Sequence, residues 1–203
     1  MDLDQINTRT AELAARLGVQ PPLIESGRVP QRCAAGVFAR LKKRQPALVV
    51  GPAFDKLTAT EQDGTLAENI VALDLFRAGR FKFRVAVWFT AVLPLVYLLF
   101  VADGYVLQPW QGALVGMVVY VICHYVGLVI WYRRITYQAD RRLAAVFGRP
   151  FMDLMFELDA RLWNQRPDFV RTLLKLLMPS EARRAQRLDA IAATTVRSTT
   201  SSR

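Results

Sequence analysis

Histidine and cysteine are scarce in this sequence: one histidine, His124, and two cysteines, Cys33 and Cys123. A single imidazole excludes any centre that needs two histidines from one chain and makes a poor haem site. The two cysteines fall in a polar flank and in an apolar run, which argues against a disulfide. Acid is short as well, 17 Asp and Glu against 27 Lys and Arg, for a net charge of +10. Such an excess of base raises nucleic-acid binding, but no nucleic-acid motif is present, and many of the basic residues track the ends of apolar runs. The opening MDLDQINTRT is polar and acidic, so it lacks the pattern of a signal peptide. No internal repeat is visible.

Long apolar runs are what the sequence does have. Phe81–Val101 and Trp110–Tyr132 are joined by residues 102–109. Each is about 20 residues, enough at ~1.5 Å per residue to cross a ~30 Å hydrocarbon layer. Lys82 and Arg84 lie at the start of the first run, where they can snorkel, and the second run carries no formal charge. A helix apolar all round is a membrane span or the core of a large protein, and 203 residues cannot bury two of them. The reading is a two-helix transmembrane hairpin.

Charge orients it. Arg77, Arg80, Lys82 and Arg84 precede or open the first span, Arg133, Arg134, Arg141 and Arg142 follow the second, and the connecting loop holds Asp103 without Lys or Arg. The positive-inside rule places both flanks in the cytoplasm, giving a multi-pass protein of the inner (plasma) membrane with cytoplasmic N- and C-termini. Tyr105, Trp110, Trp131 and Tyr132 fall at interfacial depth. The basic clusters favour anionic lipid of the cytoplasmic leaflet by on the order of 1 kcal/mol per residue. The organisation is then 1–80, a hairpin at 81–132, 133–193, and a Ser/Thr-rich tail, 194–203, expected to be disordered.

Along the flanks, residues 2–17 predict a helix with Ile6, Leu13 and Leu17 on one face and Gly18 at its end. Pro21-Pro22 breaks the chain. Ala47–Val50, stopped by Gly51-Pro52, predicts a short strand, with a neighbour at Gly36–Phe38. Thr58 and Glu61 form a capping box for a helix to about Ala78, with Leu66, Ile70 and Leu73 buried and Gly79 as its stop. Residues 134–147, 150–162, 169–177 and 179–191 predict further helices. The second of these helices is broken by Arg166-Pro167, and Phe151, Leu154, Met155 and Leu158 mark the apolar face of 150–162. The class is mostly α with a small β element.

Several short motifs surround the hairpin: Leu17-Gly-Val-Gln-Pro-Pro22; Ala47-Leu-Val-Val50 followed by Phe54-Asp-Lys-Leu-Thr-Ala-Thr-Glu61; Leu66-Ala-Glu-Asn-Ile-Val-Ala72; Thr136-Tyr-Gln-Ala-Asp140 with Leu143-Ala-Ala-Val-Phe-Gly148; and Pro179-Ser-Glu-Ala-Arg-Arg-Ala-Gln-Arg-Leu188. In this order they resemble the membrane zinc metalloproteases of the HtpX and CAAX-prenyl-protease type. In that family a cytoplasmic zincin domain is interrupted by a membrane hairpin, HExxH precedes it and ExxxD follows it. The resemblance implies an α+β zincin-like cytoplasmic domain. It lays Glu68 and Ala72 on the two histidines, Asn69 on the catalytic glutamate and Thr136 on the third ligand. Catalytic zinc needs three protein ligands, and of these positions only Glu68 could serve. Asn69 cannot act as a general base. Moving the register by one residue puts Ala67 and Val71 on the histidines instead. Asp140 remains as a possible remnant of the second shell, to be capped or paired with Arg141 or Arg142.

The implied function is that of a pseudo-peptidase: no catalytic activity, no metal, no cofactor, and a role as interaction or regulatory subunit of a membrane protein complex. An extended peptide could add to the sheet edge near Ala47–Val50. Gly112 and Gly116 form GxxxG, and with His124 and Gly127 are expected to pack the hairpin. Two alternatives remain: a metalloendopeptidase with a non-standard site drawing on Glu68, Asp74 or Asp140, and a small membrane subunit using His124 for a cofactor or proton.

Overall fold

The computed structural model describes residues 2–42, 45–102 and 109–200, with no side chains at 41–45 and side chains at only some positions of 80–113 and 192–200. Helix α1 (Leu3–Leu17) opens at Asp2, whose Oδ1 accepts from the backbone N–H of Asp4 at 3.0 Å and of Gln5 at 3.4 Å. It closes at Gly18, which takes the left-handed conformation with φ 64°. Its inward stripe is Ile6, Thr10, Leu13, Ala14 and Leu17.

Strands β1 (Leu23–Ser26), β2 (Val37–Lys42) and β3 (Gln45–Val50) form one sheet in the order β1-β3-β2. The pairing of β2 with β3 is antiparallel, as the expected neighbour of Ala47–Val50 requires. The β1–β3 pairing is parallel, Leu23 opposite Ala47. Four residues after a double proline carry too little periodicity to reveal β1 in the sequence. Its presence corrects the expectation that Ala47–Val50 is a free edge: β3 is central, its backbone groups are shared by two neighbours, and a peptide cannot add there. Gly36, at φ 73°, turns the chain into β2 so tightly that a Cβ would lie 2.4 Å from the backbone nitrogen of Phe54.

The capping box forms as expected. The Thr58 N–H donates to Glu61 Oε2 at 2.8 Å, and the Glu61 N–H donates to Thr58 Oγ1 at 3.4 Å. Helix α2 (Ala59–Ala102) then runs 44 residues without stopping at Gly79. A glycine costs only about 1 kcal/mol in a helix, too little to end one that is packed on both sides. A Cβ added at Gly79 would stand 3.5 Å from Trp131 Nε1, an ordinary contact distance. Helix α3 (Pro109–Phe147) lies alongside α2, with Phe76 edge-on to Trp131 (5.0 Å between centroids) and to Tyr132 (5.9 Å).

Gly148 (φ 84°) turns the chain into α4 (Arg149–Trp163), which begins with Pro150 in its first turn. The buried face of α4 is Met152, Met155, Phe156, Leu158 and Leu162. It is rotated from the expected one because Phe151 stacks back on Phe147 across the bend, 4.7 Å between centroids. Helix α5 (Asp168–Leu177) buries no residue. Helix α6 (Glu181–Thr200) continues through 194–200, which composition had marked as disordered. Neither Gly nor Pro occurs after Pro179 to interrupt it. Residues 201–203 lie outside the described residues.

One core joins the two flanks: Ile6, Leu17, Leu48, Phe54, Leu66, Ile70, Leu143, Met152, Phe156 and Leu188 belong to a single cluster. Polar clamps surround it. Arg9 ties α1 to Asp63 of α2, Arg161 of α4 donates to Glu61 at 2.6 Å, and Arg149 reaches both Asp189 and the Ala185 carbonyl of α6. Beyond the core, one described stretch, Leu114–Phe147, is long and apolar enough to cross a membrane. Its outward residues include Met117 (62% exposed), Ile122 (56%) and Ile130 (62%). The expected first span has a helical backbone to Ala102, but most of its side chains, and the loop at 103–108, lie outside the described residues.

Candidate functional site

The facing segments of α2 and α3 carry the positions that the resemblance singles out. Asn69 donates from Nδ2 to the Thr65 carbonyl at 2.8 Å, and Thr136 donates from Oγ1 to the Tyr132 carbonyl at 3.0 Å. Both polar groups are therefore turned back onto their own helix. Ala72 has nothing to donate. Among the described residues no group of three His, Cys, Asp or Glu is placed to hold a metal ion. An amide, a methyl, a hydroxyl and one carboxylate are not a zinc donor set, so these residues do not fit the ion that the resemblance implies.

Asp140, one turn beyond Thr136, is almost wholly buried. Its partner is neither of the adjacent arginines. Arg184 of α6 donates from Nη2 to Oδ1 at 2.6 Å and from Nε to Oδ2 at 2.8 Å, a bidentate fork between two buried side chains. Asp140 faces inward on α3, while Arg141 is exposed and Arg142 points elsewhere: it reaches Asp74 at 2.6 Å and the Leu17 carbonyl at 3.0 Å, fastening α3 to α2 and to the end of α1. The guanidinium of Arg184 also lies 4.9 Å from the Phe156 ring centre. Burial by itself would lower the pKa of Arg184, but the hydrogen bonds and charge of Asp140, followed by Glu68 and Asp159, raise it instead. A permanent cation therefore occupies the interior beside Glu68. Burial pushes the Glu68 carboxyl above its ordinary value, with Asp159 and Asp140 adding to the rise and Arg184 opposing it. Part of the Glu68 residue reaches solvent, yet its carboxyl is enclosed.

Arg184 also lines a cavity of about 540 Å³ between α4, α5 and the start of α6, together with Asp159, Trp163, Leu174, Met178 and Glu181. Burial and then Asp159 raise the pKa of Glu181. The motifs Thr136–Asp140 and Pro179–Leu188, far apart in sequence, thus meet at one pair. Arg184 was legible only as one arginine of a basic helix. Its burial could be foreseen only from the spacing that puts it one turn before Leu188, which is itself buried.

The remaining expected site residues divide. Arg77 is exposed and approaches Gln20 Oε1 at 3.5 Å, while the side chains of Arg80, Lys82 and Arg84, and the surroundings of Gly112, lie outside what is described. Gly116 is buried, and His124 stacks on Tyr120 one turn earlier, 5.7 Å between centroids at 27°. Gly127 is exposed, with no described atom within 4 Å of where a Cβ would stand. The shielded stripe of α3 runs through Gly116, Tyr120, His124 and Leu128, and at about 100° per residue Gly127 falls within its arc, between Gly116 and Tyr120. Cys33 and Cys123 are free thiols. Comparison with protein-family models, with curated protein sequences and with solved structures finds no match.

Proposed function

We propose that the chain is a catalytically inactive, metalloprotease-like integral membrane protein. In this reading α2 and α3 form a transmembrane hairpin, and both termini face the cytoplasm at the inner (plasma) membrane. The protein serves as an interaction or regulatory subunit of a membrane complex. The observation that carries the reading is the Arg184–Asp140 fork beside Glu68. Asp140, the position of the second motif that keeps its carboxylate, is taken up by a buried guanidinium whose charge also acts on Glu68.

Two features support a binding role. The cavity lined by Trp163, Leu174 and Met178 offers an apolar wall with charged groups at one end, the make-up of a recognition pocket. Beside it, α5 buries nothing and turns Phe169 (77% exposed), Leu173 and Leu176 outward. The lost donor set argues against a redrawn metalloendopeptidase, and the stacking of His124 on Tyr120 gives that imidazole a packing role.

The test is metal analysis of protein purified from membranes, alongside a peptidase assay and identification of whatever co-purifies in fixed ratio. The expected result is metal at background, no cleavage, and a membrane protein at constant stoichiometry. Stoichiometric zinc with cleavage overturns the reading of lost catalysis. A monomer that carries nothing from native membranes overturns the role as a subunit.

A further inference from the structure

One face of α3 carries a feature that neither catalysis nor hairpin packing uses. Ile130, Arg133, Arg134, Tyr137, Gln138 and Arg141 recur at helical spacing along it, and Arg187 and Ile191 of α6 close the other side. Between the helices lies an open groove of about 540 Å³. None of the described residues lining it is acidic, and among the described residues its four arginines form no ion pair. The carboxylates that could have served are engaged elsewhere: Asp140 by Arg184, Asp189 by Arg149 and Asp74 by Arg142. The Nε of Arg133 is buried without any hydrogen-bond partner. The Arg187 guanidinium is held over the Tyr137 ring at 4.2 Å, which fixes it at the groove wall.

Four like charges gathered without a counter-ion repel one another, and a buried donor left unmade costs about 1–3 kcal/mol. An anion in the groove would relieve the repulsion. Tetrahedral phosphate, with several acceptor oxygens, suits arginines that converge from two helices. The position selects the source. Ile130 is exposed two residues before the end of the apolar run Trp110–Tyr132, and Arg141 lies 11 residues further, about 16 Å along the axis. Acyl chains can follow the apolar side while the headgroup meets the arginines at the cytoplasmic boundary.

We propose that this groove is a binding site for the phosphate of an anionic phospholipid headgroup. The proposal rests on the membrane reading above and is independent of the loss of catalysis.

Full-length protein in detergent is titrated with phosphatidylglycerol, and bound lipid is counted by native mass spectrometry. Arg141→Gln with Arg187→Gln removes two groove charges while leaving Arg133 and Arg134 beside the span to orient it. The expected loss is roughly thirty-fold, the product of about five-fold per arginine. Arg141→Lys with Arg187→Lys recovers most of it. Arg40→Gln with Arg183→Gln, both exposed outside the groove, removes the same charge and leaves affinity within two-fold. Equal weakening by both Gln pairs reduces the effect to diffuse charge and overturns the site. Glycerol phosphate or inorganic phosphate binding as tightly as the lipid, in wild-type protein, overturns the lipid as its source. Resistance of the protein to alkaline carbonate extraction tests the span separately: if the protein washes off, the membrane reading fails, and if it stays, a missing selectivity counts against the groove alone.

Discussion

Asp140 of α3 and Arg184 of α6, 44 residues apart, meet in a bidentate fork with both side chains buried. Removing one member of such a pair leaves an uncompensated interior charge, which costs about 3–5 kcal/mol, whereas replacing both with apolar groups of similar volume is close to neutral. Asp140→Asn and Arg184→Met should therefore each lower the thermal midpoint of the cytoplasmic domain strongly, and Asp140→Leu combined with Arg184→Met should restore most of it. A double variant as unstable as the sum of the singles would show that the fork is not the dominant interaction of either residue.

The capping box is a local test. Thr58→Ala removes the hydroxyl that accepts from the Glu61 N–H and should cost about 1 kcal/mol. Glu61→Gln should cost more, because it also removes the carboxylate that receives Arg161 at 2.6 Å. Denaturant midpoints of the three proteins read the order directly, and Thr58→Ala costing more than Glu61→Gln would refute it.

How much of this could be read from residues alone depends on the range of the interaction. Gly18 and the pair Thr58 and Glu61 act within three or four positions, so the end of α1 and the start of α2 were legible with their caps, while the cap at Asp2 was not read. The β2–β3 pairing was legible in part, because Gly51-Pro52 stops the apolar run Ala47–Val50 and Gly36 opens its neighbour. What escaped was set from a distance. The centrality of β3 depends on Leu23–Ser26, a strand with no periodicity of its own. Passage of α2 through Gly79 goes with its packing against α3, where Phe76 meets Trp131, 55 residues later. The choice of Arg184 over Arg141 or Arg142 for Asp140 depends on which face of α3 the core covers. The candidate site was thus legible as a list of substituted positions, while the guanidinium that pairs with Asp140 was not.

Two glutamates should respond to pH with opposite sign. The Glu61 carboxylate is held below its ordinary value, first by the Thr58 N–H and with help from Arg161. Its folded pKa is depressed, so its stabilisation is present above the unfolded value of about 4.3 and fades as pH falls through the folded one. Glu68 is raised by burial. Its proton-linked stabilisation is complete below that unfolded value and is lost as pH rises through the folded one. Glu68→Gln should therefore melt above wild type at pH 8 and converge with it in acid, while Glu61→Gln melts below wild type at pH 8 and also converges in acid. A Glu68→Gln protein less stable than wild type at pH 8 would mean that the carboxylate is needed by Arg184 more than it is penalised by burial.

Gly36 and Gly79 separate two uses of glycine. At Gly36 the positive φ and the nearby Phe54 backbone leave no room for a methyl group, and Gly36→Ala should destabilise by several kcal/mol. At Gly79 the nearest atom to an added Cβ is Trp131 Nε1 at ordinary contact distance, so Gly79→Ala should stabilise by up to about 1 kcal/mol. Thermal midpoints moving in the same direction for both would contradict the assigned backbone at one of them.

The scaffold reading can be tested by putting the chemistry back. If α2 and α3 present Glu68, Ala72 and Thr136 to one point, then Glu68→His, Ala72→His and Thr136→Glu supply three zinc ligands, with Asn69→Glu beside the open position. Arg184 stands near that point, and a guanidinium next to a dication is repulsive, so the fourfold variant is made with and without Arg184→Met. The expected outcome is one zinc per chain retained through gel filtration, held more tightly when Arg184 is replaced, and background metal in a control carrying Glu68→His alone. Circular dichroism checks that each variant keeps its helices. A folded fourfold variant with no more zinc than wild type, in both Arg184 backgrounds, would show that these three positions do not converge, and the kinship with a zinc protease scaffold would fall with them.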